Sequence, residues 1–138
     1  MLWIIVAAVV ILTLLFSRYT YKVCFRMAKN HFEDPYEPMR GKQFQAVQHL
    51  IDKSTKIMEN TQCEFVTVTS YDGLQLHGRF YAVAENAPVI IVFHGYRGPT
   101  LRDCAGGFSL GLKMNYNVLA VDQRAHGKSS GRVITFGV

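Results

Sequence analysis

Pro88-Val-Ile-Ile-Val-Phe93 and Asn117-Val-Leu-Ala-Val-Asp122 are the two stretches on which the fold turns. Each is a short continuous apolar run, the pattern of a strand buried on both faces. Between them Leu101, Cys104, Ala105, Phe108 and Leu112 recur at helical spacing. Strand, helix and strand in this order form a βαβ unit, a parallel pair joined by a right-handed crossover.

Upstream the pattern changes to alternation. Val66 and Val68 fall on one face of a strand over Glu64 to Ser70, and Phe65, Thr67 and Thr69 on the other. Tyr71-Asp72-Gly73 is a hairpin turn signal, because glycine accepts positive φ. Leu74 to Val83 alternates again. Leu74, Leu76, Gly78, Phe80 and Ala82 share one face; Gln75, His77 and Arg79 share the other, which leaves His77 exposed and inert. The fold class is therefore α/β: an antiparallel hairpin followed by a parallel βαβ, giving a mixed sheet with helices on its faces.

Gly41 to Glu59 reads as one amphipathic helix, with Phe44, Val47, Leu50, Ile51, Ile57 and Met58 close to one stripe. Lys42, Gln45, Gln48, Asp52 and Lys56 fall elsewhere, and the helix is expected to pack over the start of the sheet. His49 on it is a solvated or packed side chain. Val23 to Asn30 reads as a short juxtamembrane helix stopped by Pro35 and Pro38, with Asp34-Pro35 as a turn.

Leu2 to Phe16 has Thr13 as its single polar residue, with Trp3 near one end and Tyr19 and Tyr21 near the other. A membrane-spanning helix needs about 20 residues including its interfacial aromatics, and residues 1–21 satisfy that. A cleaved signal peptide would need a basic start and a small-residue cleavage site; neither is present. Residues 1–21 are thus expected to be a single-pass anchor whose partner is the lipid bilayer. Arg18, Lys22, Arg26 and Lys29 follow the segment, and they account for much of the formal charge of +5. By the positive-inside rule they put the C-terminal side in the cytoplasm. They do not form a nucleic-acid footprint, since no basic stripe interleaved with aromatics follows. The expected division is anchor 1–21, juxtamembrane helical segment 22–62 and, over 63–138, the N-terminal part of a truncated α/β domain.

Cys24, Cys63 and Cys104 are odd in number and widely spaced. They suit a reducing compartment better than a disulfide framework, and no Cys/His cluster implies a metal. No dinucleotide fingerprint or phosphate loop implies a cofactor.

In sheets of this kind ligands bind beyond the carboxyl ends of the strands. Two loops lie there: His94-Gly95-Tyr96-Arg97-Gly98-Pro99 and Asp122-Gln123-Arg124-Ala125-His126-Gly127-Lys128-Ser129-Ser130-Gly131. The first resembles the oxyanion-loop segment of α/β hydrolases. The second resembles that family's D-x-R-x-H-G-x-S-x-G loop. The subgroup it looks most like is the serine aminopeptidase-like and Bem46-like proteins, many of which carry an N-terminal membrane helix. The likeness covers about residues 64–138 and implies a partial α/β-hydrolase fold with acyl-transfer chemistry.

By that resemblance the backbone N–H of Tyr96 is the oxyanion donor, a group commonly worth about 3–4 kcal/mol to the transition state. His94 resembles the family's structural histidine, and Gly95 and Gly98 let the backbone turn sharply. Arg97 faces the site or is solvated. Asp122 and Arg124 are expected to brace the second loop by charge and hydrogen bonds. Gly127 and Gly131 supply turns, Lys128 is surface, and His126 is structural rather than catalytic.

Gly107-Phe108-Ser109-Leu110-Gly111 matches G-x-S-x-G as text, and Asp122 and His126 follow in the family's order. A nucleophile elbow must follow a buried strand and open a helix. Ser109 falls inside the helix between the strands, so it is a decoy. The family's elbow lies one helix and one strand beyond Gly131, so this sequence is expected to be an N-terminal fragment without nucleophile, acid or base, inactive by itself. The intact parent then acts on a small-molecule or peptide substrate with an ester, lipid or peptide bond. Two alternatives stay open: a non-catalytic membrane-tethered scaffold or binding module on the same fold, and a relative with an aspartate nucleophile.

Overall fold

A computed structural model describes residues 2–26 and 34–135. The N-terminal helix α1 (Leu2–Phe25) buries none of its residues against the rest of the chain. It is long and apolar enough to cross a membrane. The helix runs straight through the expected boundary at 21/22, and no separate juxtamembrane helix begins at Val23. Arg26, one residue beyond its end, instead forms an isolated antiparallel bridge with Val133. The remainder of the expected juxtamembrane helix, 27–30, lies outside the described residues.

The helix expected over Gly41 to Glu59 is broken in two. α2 (Lys42–Gln45) and α3 (Gln48–Asn60) meet at Ala46 and Val47. The stripe that packs is also different. Thr55 and Met58 are the buried residues of α3, with Ile51 half-buried a turn earlier; Val47, Leu50 and Ile57 stay exposed. The spacing of 51, 55 and 58 is that of one helical face. It is selected by the sheet beneath it, where the Tyr81 hydroxyl donates to the Met58 carbonyl at 3.2 Å.

Four strands form a mixed sheet: β1 (Glu64–Thr69), β2 (Gln75–Tyr81), β3 (Val89–Phe93) and β4 (Asn117–Asp122), in the order β1-β2-β4-β3. β1 pairs antiparallel with β2 through the expected turn, whose Gly73 has φ 83°. β4 inserts between β2 and β3, antiparallel to the first and parallel to the second. The crossover from β3 to β4 carries α4 (Thr100–Asp103) and α5 (Ala105–Lys113).

The core lies between α3, α4, α5 and one sheet face. Met58, Tyr81, Cys104, Ala105, Phe108, Val118 and Ala120 make it up. The Tyr81 and Phe108 rings sit 4.7 Å apart at 56°, a favoured tilted contact. Tyr81 shares its face with Gln75, His77 and Arg79, so the face of β2 expected to be polar is the one that meets the helices. His77 is accordingly half-buried, with its ring 3.1 Å from the Thr67 hydroxyl. Burial pushes the Tyr81 hydroxyl up to about 12, with the Cys63 thiol adding to the shift. It likewise pushes the Cys104 thiol up to about 12, helped by the charges of Asp103 and Asp122. Cys24, Cys63 and Cys104 are all free thiols.

β3 is not buried on both faces. It is an edge strand, and Val89, Ile91 and Phe93 are 50%, 54% and 62% exposed. Only β4, paired on both sides, approaches the expected burial. The helices of the described residues cover one face of the sheet, not both.

α5 explains the decoy motif. Ser109 sits in mid-helix, half-buried. Gly107 and Gly111, four residues apart on one face, are where the helix touches the sheet. A Cβ on Gly107 would lie 2.3 Å from Val92 Cγ1, and one on Gly111 2.3 Å from Val118 Cγ2. The glycines of G-x-S-x-G are thus packing residues. Gly106 has nothing within 4 Å of its Cβ position. Gly107→Ala and Gly111→Ala are expected to destabilise the domain by roughly 1–3 kcal/mol each, the usual effect of overpacking. Gly106→Ala should be neutral or stabilising, by up to about 1 kcal/mol from helix propensity. Urea denaturation followed by circular dichroism separates the two outcomes.

Candidate active site

The two loops singled out from sequence lie side by side at the carboxyl ends of β3 and β4. The first, residues 94–99, is built around a tight turn. The Gly98 N–H donates to the Gly95 carbonyl at 3.0 Å, and Arg97 takes φ 55° within the turn. The Asp103 carboxylate accepts the Gly95 N–H at 3.0 Å. It lies so close to the turn that a Cβ on Gly98 would sit 1.8 Å from Asp103 Oδ2. Gly98 is therefore required by a close approach and not by a positive φ. Arg102 pairs with the other oxygen of Asp103 at 3.0 Å.

His94 is buried, and both of its ring nitrogens are engaged. Nδ1 lies 2.9 Å from the Gly95 carbonyl, which can only accept, and Nε2 takes the Gln123 N–H at 3.1 Å. This pair of bonds defines the neutral Nδ1–H tautomer and leaves neither nitrogen for proton transfer. The Gln123 side-chain amide returns a bond to the His94 carbonyl at 2.5 Å. His94 is thus the rivet between the two loops, and its ring packs on that of His126 with centroids 4.5 Å apart.

In the second loop Asp122 is buried at the end of β4. One carboxylate oxygen accepts the Thr100 hydroxyl and the other the Lys128 N–H at 2.9 Å. Its carbonyl accepts the Ser129 hydroxyl at 2.5 Å, and Ser129 Oγ in turn accepts the His77 N–H of β2 at 2.8 Å. Gly127, at φ 51°, passes so near Asp122 that a Cβ would lie 2.4 Å from its carboxylate. His126 Nδ1 donates to the Arg124 carbonyl at 2.9 Å. Asp122 and Arg124, expected to brace the loop together, do so apart. Arg124 turns away to grip Asp72 in the β1–β2 turn with two bonds, at 2.5 and 3.0 Å. Lys128 is exposed, its ammonium 4.2 Å over the Phe65 ring.

Tyr96 follows Gly95 in the turn, with its side chain half-exposed at the mouth of the loop. Its hydroxyl donates to the Cys24 carbonyl at the end of α1. Arg97 is half-buried and reaches the end of α1: Nη2 donates to the carbonyls of Val23 at 2.6 Å and Arg26 at 3.0 Å. On the helix-covered side, beneath Thr100 and Asp122, a cavity of about 540 Å³ is lined in part by Tyr36, Glu59, Arg79 and Lys128. A hydrogen bond to Glu59 raises the Tyr36 hydroxyl above its ordinary value. Among the described residues no cluster of three or more His, Cys, Asp or Glu side chains forms a metal site.

Sequence reasoning placed Gln123 and Ser129 in the second loop without giving either a role, and it missed Thr100 and Asp103. Each acts through a hydrogen bond to a residue outside its own local pattern, and no such pattern marks the partner.

Among solved structures, two crystal forms of the esterase Pf2001 from Pyrococcus furiosus align with this chain at TM-scores of 0.50 and 0.51 and 32% identity. They cover 59% and 60% of this chain and 31% and 33% of the esterase. A structure of DcsB bound to its substrate analogue aligns over 51% of this chain and 24% of that one, at 27% identity and a TM-score of 0.46. The chain thus spans about a third of the length of the Pyrococcus esterase. No family model and no curated protein matches it. The two Pyrococcus esterase alignments support an α/β-hydrolase-like fold.

Two bonds from Arg124 and one from Ser70 hold the Asp72 carboxyl down at about 2 from its ordinary 3.8. A depressed carboxylate adds stability that is present above pH 3.8 and lost as the pH falls through 2. Arg124→Ala should return much of that shift, read as the titration of the Asp72 carboxyl carbon by NMR. Because the pair is exposed and screened by solvent, global stability should change little.

Proposed function

We propose that the chain is the N-terminal part of a membrane-anchored hydrolase that attacks an ester or related acyl bond with a serine nucleophile, and that it contributes the oxyanion loop. The observation that carries this reading is the riveted loop pair at the carboxyl ends of β3 and β4, in a chain of which 60% aligns with the Pyrococcus esterase. The first loop holds a backbone turn rigidly in place, as charge stabilisation requires. Donors fixed before the reaction need no reorganisation when negative charge develops on the carbonyl oxygen. In this reading Tyr96 N–H is one such donor. His94, Gly95 and Gly98 fix the turn, and Asp122, Arg124, His126 and Gly127 fix its neighbour. The nucleophile, acid and base are supplied from outside residues 1–138.

The anchor is α1, with the C-terminal domain on the cytoplasmic side. Its apolar surface is fully presented outward, and Arg18, Lys22 and Arg26 lie towards its C-terminal end. The serine aminopeptidase-like and Bem46-like subgroup remains the sequence resemblance behind this assignment.

Reading the coding sequence beyond Val138 tests the proposal. It should encode a further strand leading through G-x-S-x-G into a helix. A next strand without that motif overturns the serine mechanism and favours the scaffold or aspartate-nucleophile reading. The 138-residue chain itself should not turn over p-nitrophenyl esters or take up a fluorophosphonate label. Turnover abolished by Ser109→Ala would make the helical serine a nucleophile after all.

A further inference from the structure

The first loop of the candidate site and the segment that follows the second are fastened to the end of the apolar helix. Arg97 Nη2 binds the Val23 and Arg26 carbonyls, and the Tyr96 hydroxyl binds that of Cys24. Just past the second loop, Val133 bridges to Arg26, and the Ile134 N–H donates to the Phe25 carbonyl at 2.8 Å. The last carbonyls of a helix have no partner within it. Here the first loop and Ile134 supply those partners.

The depth of this junction follows from helix geometry. At 1.5 Å per residue the 24 residues of α1 rise about 36 Å, against a hydrocarbon core of about 30 Å. From Trp3 to Tyr21, the aromatic residues expected at the two interfaces, the rise is about 27 Å. Val23 to Arg26 then lie within about 3–8 Å of the interfacial tyrosine. The headgroup layer adds roughly 5–8 Å on each side of the hydrocarbon. The loops are therefore held in the headgroup layer, where the acyl ester groups of membrane lipids also lie. Lys22 and Arg26 flank the junction in sequence and Arg97 is bonded to it, a positive charge that suits phosphate headgroups.

We propose that this end of the domain binds the ester region of a bilayer lipid, so that the substrate is a lipid-borne acyl ester taken at the membrane surface. The inference rests on the membrane-anchored hydrolase reading above and gives it a substrate class. An ester at this depth reaches the loops without drawing its acyl chain into water, a step whose cost grows with every methylene.

The test uses the full chain in vesicles of phosphatidylcholine with a minor share of phosphatidylglycerol, carrying a benzophenone photocrosslinker in place of Tyr19, Arg132 or Glu85. Tyr19 and Arg132 should give lipid adducts. Glu85, at the opposite end of the sheet, should give several-fold fewer. Arg97→Ala should cut the Arg132 adduct several-fold and leave that of Tyr19 unchanged. Tyr96→Phe, which removes a single hydroxyl, replaces it if Arg97→Ala fails to fold. No adduct at Tyr19 overturns the anchor and this inference together. An adduct at Tyr19 with Arg132 no higher than Glu85 overturns this inference alone. The Tyr96 amide resonance should also differ between bicelles of diacyl phosphatidylcholine and of its dialkyl ether analogue, and an identical resonance overturns the ester. None of these readouts requires turnover, so failure of the hydrolase reading is decided separately by the coding sequence.

Discussion

The Asp122 carboxylate is the constraint on which the candidate site depends. It is buried where β4 ends, and a carboxylate there is tolerable only if its oxygens are bonded. Thr100 and the Lys128 N–H meet that requirement, and each ties a different segment to the strand. Thr100 opens the crossover helix. Lys128 closes the second loop over a glycine that must be glycine, because any Cβ at 127 would strike the carboxylate. Through its carbonyl and Ser129 the same residue reaches β2. One side chain thus fixes where the sheet ends and where the loops begin.

The His94 imidazole completes the arrangement from the other side. It is locked as one tautomer by a carbonyl and a backbone N–H, and it joins the end of β3 to the start of the second loop. A histidine held this way serves geometry. The same holds for the pair Arg124 and Asp72, which stakes the second loop to the β1–β2 turn. The chemistry-bearing residue types of both loops are spent on holding backbone in place. This is the organisation expected where the useful groups are main-chain N–H donors.

Close packing governs the opposite side of the crossover. Gly107 and Gly111 bring α5 down onto Val92 of β3 and Val118 of β4, so the helix spans both parallel strands. The literal serine-hydrolase motif in this helix is a by-product of that packing. A motif read as text and a motif read as geometry diverge here because glycine serves both a strained turn and a close helix–sheet contact.

Much of the fold was legible from the sequence. Apolar runs placed β3 and β4, alternation placed β1 and β2, and the uniformly apolar start placed α1, because hydrophobic period reports local geometry directly. The loops were legible because each directly follows an apolar run, where ligands bind in such sheets, and because their residues resemble hydrolase motifs. Other features were decided only by tertiary structure. The stripe of α3 that packs, the face of β2 that meets the helices and the exposure of β3 depend on neighbours distant in sequence. So do the partners of Arg97, Arg124 and Asp122. A side chain's chemical type announces that it needs a hydrogen-bond partner, but which partner it finds is fixed only when the crossover closes and the end of α1 comes to rest against the loops.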